Sequence, residues 1–88
     1  MASNTLNRET FEWILDSMPT QYVWMKHVDT GVVSSVRFDG ESFNFTTGGT
    51  LTVEFDRVEY TQDGNFARMY RKDVLIGGIS LDKLKVME

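Results

Sequence analysis

A short stretch rich in hydroxyl groups and glycine, Thr46-Thr47-Gly48-Gly49-Thr50, has the composition of a loop that could hold a phosphate group through its backbone amides. The same residues suit a tight hairpin turn. A three-residue loop at 47–49, with Gly49 in the left-handed conformation, pairs Phe45 with Leu51 and keeps one apolar face continuous. The sequence therefore favours a turn at this position over an anion-binding site.

Basic side chains concentrate in the second half of the chain. Arg57, Arg68 and Arg71 fall on two successive predicted strands, and Tyr70 lies beside them. Because guanidinium groups hold phosphates and carboxylates through paired hydrogen bonds, this cluster is the predicted site for a small anionic ligand or an acidic protein. The alternative is a solvated strand face balanced by nearby carboxylates, which are Asp56, Glu59 and Asp73.

No arrangement typical of catalysis is visible. The chain has a single histidine, His27, and no cysteine. No acidic residue is predicted beside His27 to orient its ring. The paired carboxylates sit at turns and polar faces rather than in the buried setting that acid–base catalysis needs. Since metal-binding loops and nucleotide-binding motifs are also missing, we expect a protein that is not an enzyme and that needs no metal or cofactor.

Composition narrows the classes of partner. The 88 residues include 9 Lys+Arg and 13 Asp+Glu, for a net charge of −4. This balance disfavours broad, charge-driven binding to nucleic acid or to an anionic membrane. The apolar runs are too short for a membrane span. We expect one domain over residues 1–88, and the absence of cysteine is typical of a cytoplasmic protein.

The N-terminal segment predicts a helix over residues 8–18. Asn7 is the expected cap, and Leu6 and Phe11 fit a hydrophobic staple around it. Apolar residues then recur at helical spacing until Pro19 ends the helix; they are Phe11, Ile14, Leu15 and Met18. Trp13 lies off this stripe, so it either wraps the edge of the core or is exposed as a contact residue.

From residue 21 to residue 72 the apolar pattern has period two, which predicts a five-stranded antiparallel meander. A three-residue loop at Asp29-Thr30-Gly31 pairs Trp24 with Val36 and turns Trp24 toward the core. A two-residue turn at Asp39-Gly40 follows. In this register a half-apolar stripe remains on the outer face and predicts self-association; it consists of Val23, Met25 and Val33.

The later part of the meander shows a change of phase. Apolar residues alternate in one phase up to Phe55 and in the other from Val58, which suggests a bulge near Asp56-Arg57. A three-residue loop at Gln62-Asp63-Gly64 then sets Tyr60 against Phe66. In the tail, residues 74–87, Gly77-Gly78 reads as a turn, followed by either a short helix or a closing turn and strand.

The order of these elements resembles that of small barrels of the SH3-like and Sm-like kinds, although the basic RNA-binding signature of Sm-like proteins is missing near the end. The sequence predicts an α+β fold in which the helix packs on a strongly bent antiparallel meander of five or six strands. The resemblance implies a small barrel.

For function, we expect a non-catalytic binding protein that contacts a protein partner or sequesters a small anionic ligand, as inhibitors, adaptors and phage-type accessory proteins do. The expected binding residues are Arg57, Arg68, Tyr70, Arg71 and Trp13. A homo-oligomer is expected because a core this small gains from added buried area. Two alternatives stay open: an oligomeric RNA-binding module of the small-barrel kind, and an enzyme whose site lies between subunits.

Overall fold

The computed structural model describes residues 5–17, 22–49 and 51–87. Within these ranges the chain forms one helix, eight strands and a single turn of 3-10 helix at Leu81–Lys83. The elements in chain order are α1 (Arg8–Asp16), β1 (Val23–His27), β2 (Val33–Phe38), β3 (Phe43–Thr47), β4 (Leu51–Phe55), β5 (Arg57–Tyr60), β6 (Phe66–Arg71), β7 (Val74–Ser80) and β8 (Leu84–Val86).

The strands form two antiparallel sheets, one in the order β4-β3-β2-β1-β8 and one in the order β5-β6-β7. Strands β1 to β4 form one meander, β5 to β7 form a second, and β8 returns to pair with β1. The predicted α+β fold with a bent antiparallel meander is confirmed, and the described strands leave two open sheets rather than a closed barrel. The bulge predicted near Asp56-Arg57 is wrong: the phase of the apolar residues changes there because the chain leaves the first sheet for the second at Asp56.

Helix α1 begins where the sequence predicts. The Asn7 side chain accepts a hydrogen bond from the Thr10 amide at 3.0 Å, and the Thr10 hydroxyl accepts one from the Asn7 amide at 2.8 Å. Phe11 and Ile14 are buried, as their spacing predicts. The helix ends at Asp16 with Ser17 as its C-cap, which is earlier than the predicted end at residue 18. Met18 and Pro19 lie outside the described residues.

The core lies between α1 and the two sheets. Each of these layers supplies fully buried side chains, so neither sheet has a core of its own. The largest are Phe11, Phe55, Met25, Met69, Leu81 and Leu84. Because these residues come from six different elements, the core holds the two sheets in a fixed arrangement.

The prediction for the first hairpin is wrong by one residue. The His27 amide donates to the Val32 carbonyl at 2.8 Å, so the loop contains four residues, 28–31, rather than three. Trp24 therefore pairs with Ser35 instead of Val36. A shift of one residue moves every side chain of a strand to the other face of its sheet.

This shift corrects the predicted self-association stripe. Met25 is completely buried, and Val23 is partly buried against the core. Of the three residues, only Val33 is exposed. The outer-face position predicted for Val23 and Met25 is wrong. The side chains of β1 that alternate with these two residues face solvent instead.

The next two hairpins differ from the prediction by two residues, which leaves the faces unchanged. Phe38 pairs with Phe43 around a four-residue loop, and Phe45 pairs with Val53. The loop between β2 and β3 is longer than predicted for a local reason. The Asp39 carboxylate accepts hydrogen bonds from the amides of Glu41 and Ser42, both at 2.9 Å. These bonds lower the pKa of Asp39 below its usual value.

The turn at Gly48-Gly49 is confirmed. Both glycines have positive φ angles, 63° and 77°, in the left-handed region that favours glycine. Since Thr47 pairs with Leu51, the loop begins at Gly48 rather than at Thr47. Thr50 itself lies outside the described residues.

The second half departs from the prediction at two further points. Tyr60 pairs with Ala67 rather than Phe66, because the loop at 62–65 has four residues. The turn predicted at Gly77-Gly78 is wrong, since both glycines lie inside β7. Of the two interpretations of the tail, the closing turn and strand is confirmed: a single turn at Leu81–Lys83 leads into β8.

Candidate functional site

The observed register of β1 turns two aromatic side chains toward solvent. Tyr22 and Trp24 are 49% and 50% exposed, and their ring centroids lie 5.6 Å apart. The guanidinium carbon of Arg37 lies 5.6 Å from the Tyr22 ring centroid. A shallow depression of about 280 Å³ adjoins them on the same outer face of the five-stranded sheet. We call this surface, centred on Tyr22 and Trp24, the aromatic face.

A larger groove, of about 870 Å³, lies between α1 and β8. We call it the Trp13 groove. Trp13 is 70% exposed on one side of it, whereas Leu6 and Ile14 line it with buried side chains. Lys26, Lys85 and Met87 also line the groove, together with the polar residues Thr5, Glu9 and Thr10.

Backbone hydrogen bonds hold the two sides of the groove together. The Leu6 amide donates to the Leu84 carbonyl at 2.8 Å, and the Arg8 amide donates to the Gly64 carbonyl at 2.9 Å. Thr5 forms a bridge with Lys85. The start of α1 is thus fixed to β8 on one side and to the β5–β6 loop on the other, so the groove is preformed by the fold.

Met87 connects the Trp13 groove to the aromatic face. Its amide donates to the Trp24 carbonyl at 2.9 Å, which extends the β1–β8 pairing by one position and sets Met87 beside Trp24. The Met87 side chain is 42% exposed and lines the groove. The groove and the aromatic face therefore form one continuous, largely apolar surface that contains both tryptophans of the chain.

Two lysines face each other across the strands at this surface. Lys26 of β1 pairs directly with Lys85 of β8, and both side chains are exposed and line the Trp13 groove. Among the described residues, neither lysine lies within ion-pair distance of a carboxylate. The acidic residue in the lining, Glu9, stands on the helix side. Like charges placed directly opposite each other destabilise a strand pair, so the fold tolerates this arrangement at some cost.

The predicted arginine cluster is partly assembled. Arg57 pairs with Tyr70, and Arg68 lies two pairs further along the same two strands, on the same face of the three-stranded sheet. The Arg57 guanidinium carbon lies 4.3 Å from the Tyr70 ring centroid. Arg71 instead contacts Glu54 of β4, and Trp13 lies on α1 rather than on this sheet.

Carboxylates already pair with most of these arginines. Arg57 contacts Glu59 at 2.5 Å and Asp73 at 3.3 Å between nitrogen and oxygen atoms. Arg71 contacts Glu54 at 2.6 Å. The hydrogen bond from Arg57 is the main cause of the lowered pKa of Glu59. Glu59 also lies opposite Arg68 in the sheet. The cluster therefore presents little net positive charge.

A further exposed surface lies at the edge of the three-stranded sheet. Three consecutive apolar side chains at the start of β7 are between 40% and 61% exposed; they are Val74, Leu75 and Ile76. Sheet edges of this kind are where other chains can pair. The expected homo-oligomer remains a prediction, with β7 as the exposed apolar edge available for it.

Within residues 5–17, 22–49 and 51–87, no three His, Asp or Glu side chains come together in a way that could hold a metal ion. None of the helices in the same ranges is long and apolar enough to cross a membrane. No family model, curated protein or solved structure matches this chain.

The aromatic face and the lysine pair were not predicted from the sequence, because the loop between β1 and β2 was assumed to have three residues. The sequence did carry a signal for the correct register. With three loop residues, Lys26 would point inward between Trp24 and Val28, and a buried ammonium without a partner is costly. A four-residue loop moves Lys26 outward and Met25 inward, as the structure has it.

Proposed function

We propose that the protein is a non-catalytic binding protein, of the inhibitor or adaptor type, that contacts a protein partner through the Trp13 groove and the aromatic face. The observation that carries this proposal is the exposure of both tryptophans, Trp13 at 70% and Trp24 at 50%. Tryptophan is enriched among the residues that dominate binding energy at protein interfaces. A large exposed apolar patch on a small domain typically marks such an interface.

The charge distribution supports a protein partner over a small anionic ligand at the arginine cluster. Such a ligand would compete with Glu59 and Asp73 for Arg57, and with Glu54 for Arg71. For every ion pair that such a ligand formed with one of these arginines, an existing ion pair with a carboxylate would be lost. By contrast, burying the tryptophan rings against a partner removes apolar surface from water without breaking an ion pair.

The alternative of an RNA-binding module has weaker support. Stacking of bases on Tyr22 and Trp24 would suit single-stranded RNA. However, the net charge is −4, and RNA binding depends on a series of cations along the backbone. Two of the three arginines that would form such a series, Arg57 and Arg71, are paired with carboxylates.

Affinity capture from the source cell tests the proposal. The bait proteins are the wild type, a Trp13→Ala/Trp24→Ala double variant and a Leu75→Ala control, which truncates an exposed apolar residue on β7. We expect one partner to be retained by the wild type and the control at a fixed molar ratio and lost by the double variant. Native mass spectrometry of the eluate gives the ratio. A partner that the double variant still captures would refute the proposed surface.

A further inference from the structure

We propose that the segment bound in the Trp13 groove is acidic: a stretch of the partner protein in which Asp or Glu stands beside a large apolar side chain. This inference rests on the proposed function and specifies the partner's chemistry. It is carried by the juxtaposition of Lys26 and Lys85 with the apolar lining of the groove.

The lysine pair supplies the charge argument. The two ammonium groups belong to directly paired residues, and no described carboxylate lies within ion-pair distance of either. Elsewhere on the described surface, Arg57 and Arg71 have carboxylate partners. A partner carboxylate placed between Lys26 and Lys85 would offset the repulsion between them, so the pair favours an anionic group from outside the chain.

The apolar lining supplies the second half of the recognition. Leu6 and Ile14 close the groove from the core side, and Trp13 and Met87 are exposed at its rim. A large aliphatic or aromatic side chain of the partner would bury these surfaces. The carboxylate must then lie on the β8 side, because Glu9 on the helix side would repel it.

An acidic protein segment fits this site better than a nucleic acid. The groove offers two lysines on directly paired residues and several apolar side chains, whereas a nucleic acid strand needs cations repeated along its backbone. One or two carboxylates next to an apolar side chain match the number of lysines and the apolar side chains beside them.

Selection of random peptides on the immobilised wild-type protein tests the inference. We expect the selected peptides to be enriched in Asp or Glu next to an aromatic or aliphatic residue. One selected peptide, labelled with a fluorophore, is then measured by fluorescence polarisation beside a copy in which its carboxylates are replaced by amides. We expect Lys85→Glu to weaken binding about tenfold, because an attraction at the surface is replaced by a repulsion of similar size.

The matched control is Lys83→Glu, which changes the net charge equally at an exposed lysine outside the groove lining. This control should bind the peptide like the wild type. Lys85→Gln should give an intermediate loss, and circular dichroism should show the same fold in all three variants.

Each other outcome counts against the inference in a distinguishable way. Neutral or basic peptides that still depend on Trp13 would overturn the acidic partner and leave the proposed function standing. Peptides that bind equally to the Trp13→Ala/Trp24→Ala variant, or no selected peptide at all, would overturn both. A labelled uridine 20-mer that displaces the peptide and loses affinity in Lys85→Glu would make nucleic acid the occupant and also overturn the inference.

Discussion

Lys85→Glu should make the folded protein more stable, although it is expected to weaken binding. In the wild type, Lys85 faces Lys26 directly across the strands. Cross-strand charge pairs contribute about 0.5 kcal/mol each, favourable for opposite charges and unfavourable for like charges. Replacing repulsion by attraction therefore raises the free energy of unfolding by about 1 kcal/mol. With an unfolding entropy of about 2.1 cal/mol/K per residue, a chain of this length gains about 5 °C in melting temperature.

Thermal unfolding followed by circular dichroism measures this change. Lys83→Glu is the control, because it alters the net charge equally without removing a cross-strand repulsion. Its melting temperature should stay at or slightly below that of the wild type. The gain in Lys85→Glu should shrink in 1 M salt, where the screening length falls to about 3 Å.

A lower melting temperature for Lys85→Glu than for Lys83→Glu would refute the reasoning. It would mean that Lys26 and Lys85 do not face each other, and the charge argument for an acidic partner would then fail as well. A stability gain together with weaker peptide binding would show that the lysine pair is retained for recognition at the expense of folding stability.

Three further predictions test the register, a turn and a loop. Met25→Ala should lower the free energy of unfolding by about 3 kcal/mol because its side chain is fully buried, whereas Trp24→Ala should cost about 1 kcal/mol or less; urea unfolding that gives the reverse order would disprove the observed register. Gly49→Val should cost about 2 kcal/mol through backbone conformation alone, since φ is 77° and no described atom lies within 4 Å of an added Cβ; melting like the wild type would contradict it. Asp39→Ala should be less stable than the wild type near pH 7, and the difference should narrow as the pH falls below about 4, because the pKa of Asp39 is lowered in the folded state and protonation removes its contribution; a difference that is constant with pH would show that the carboxylate charge is not involved.

Local features of the sequence were sufficient for the helix and for the faces of most strands. The cap at Asn7 and the spacing of Phe11 and Ile14 depend only on residues within a few positions of each other, so they are readable directly. The inner faces of β2, β3 and β4 were also predictable, because errors of two residues in register leave the alternation of side chains unchanged.

The candidate site, in contrast, depends on tertiary structure. Glycine residues indicate where most turns lie, but they do not determine how many residues each loop contains. Hydrogen bonds such as those to the Asp39 carboxylate set the loop length. One extra residue in the loop between β1 and β2 decides that Trp24 is exposed and Met25 is buried. The pairing of Lys26 with Lys85 joins residues that are far apart in the sequence, and only the return of β8 to β1 brings them together. The sequence by itself determined the helix, the apolar faces of β2 to β4 and the positions of most turns. The tertiary structure decided which surface presents the tryptophans and the lysine pair, because a one-residue change in register reverses both faces of a strand.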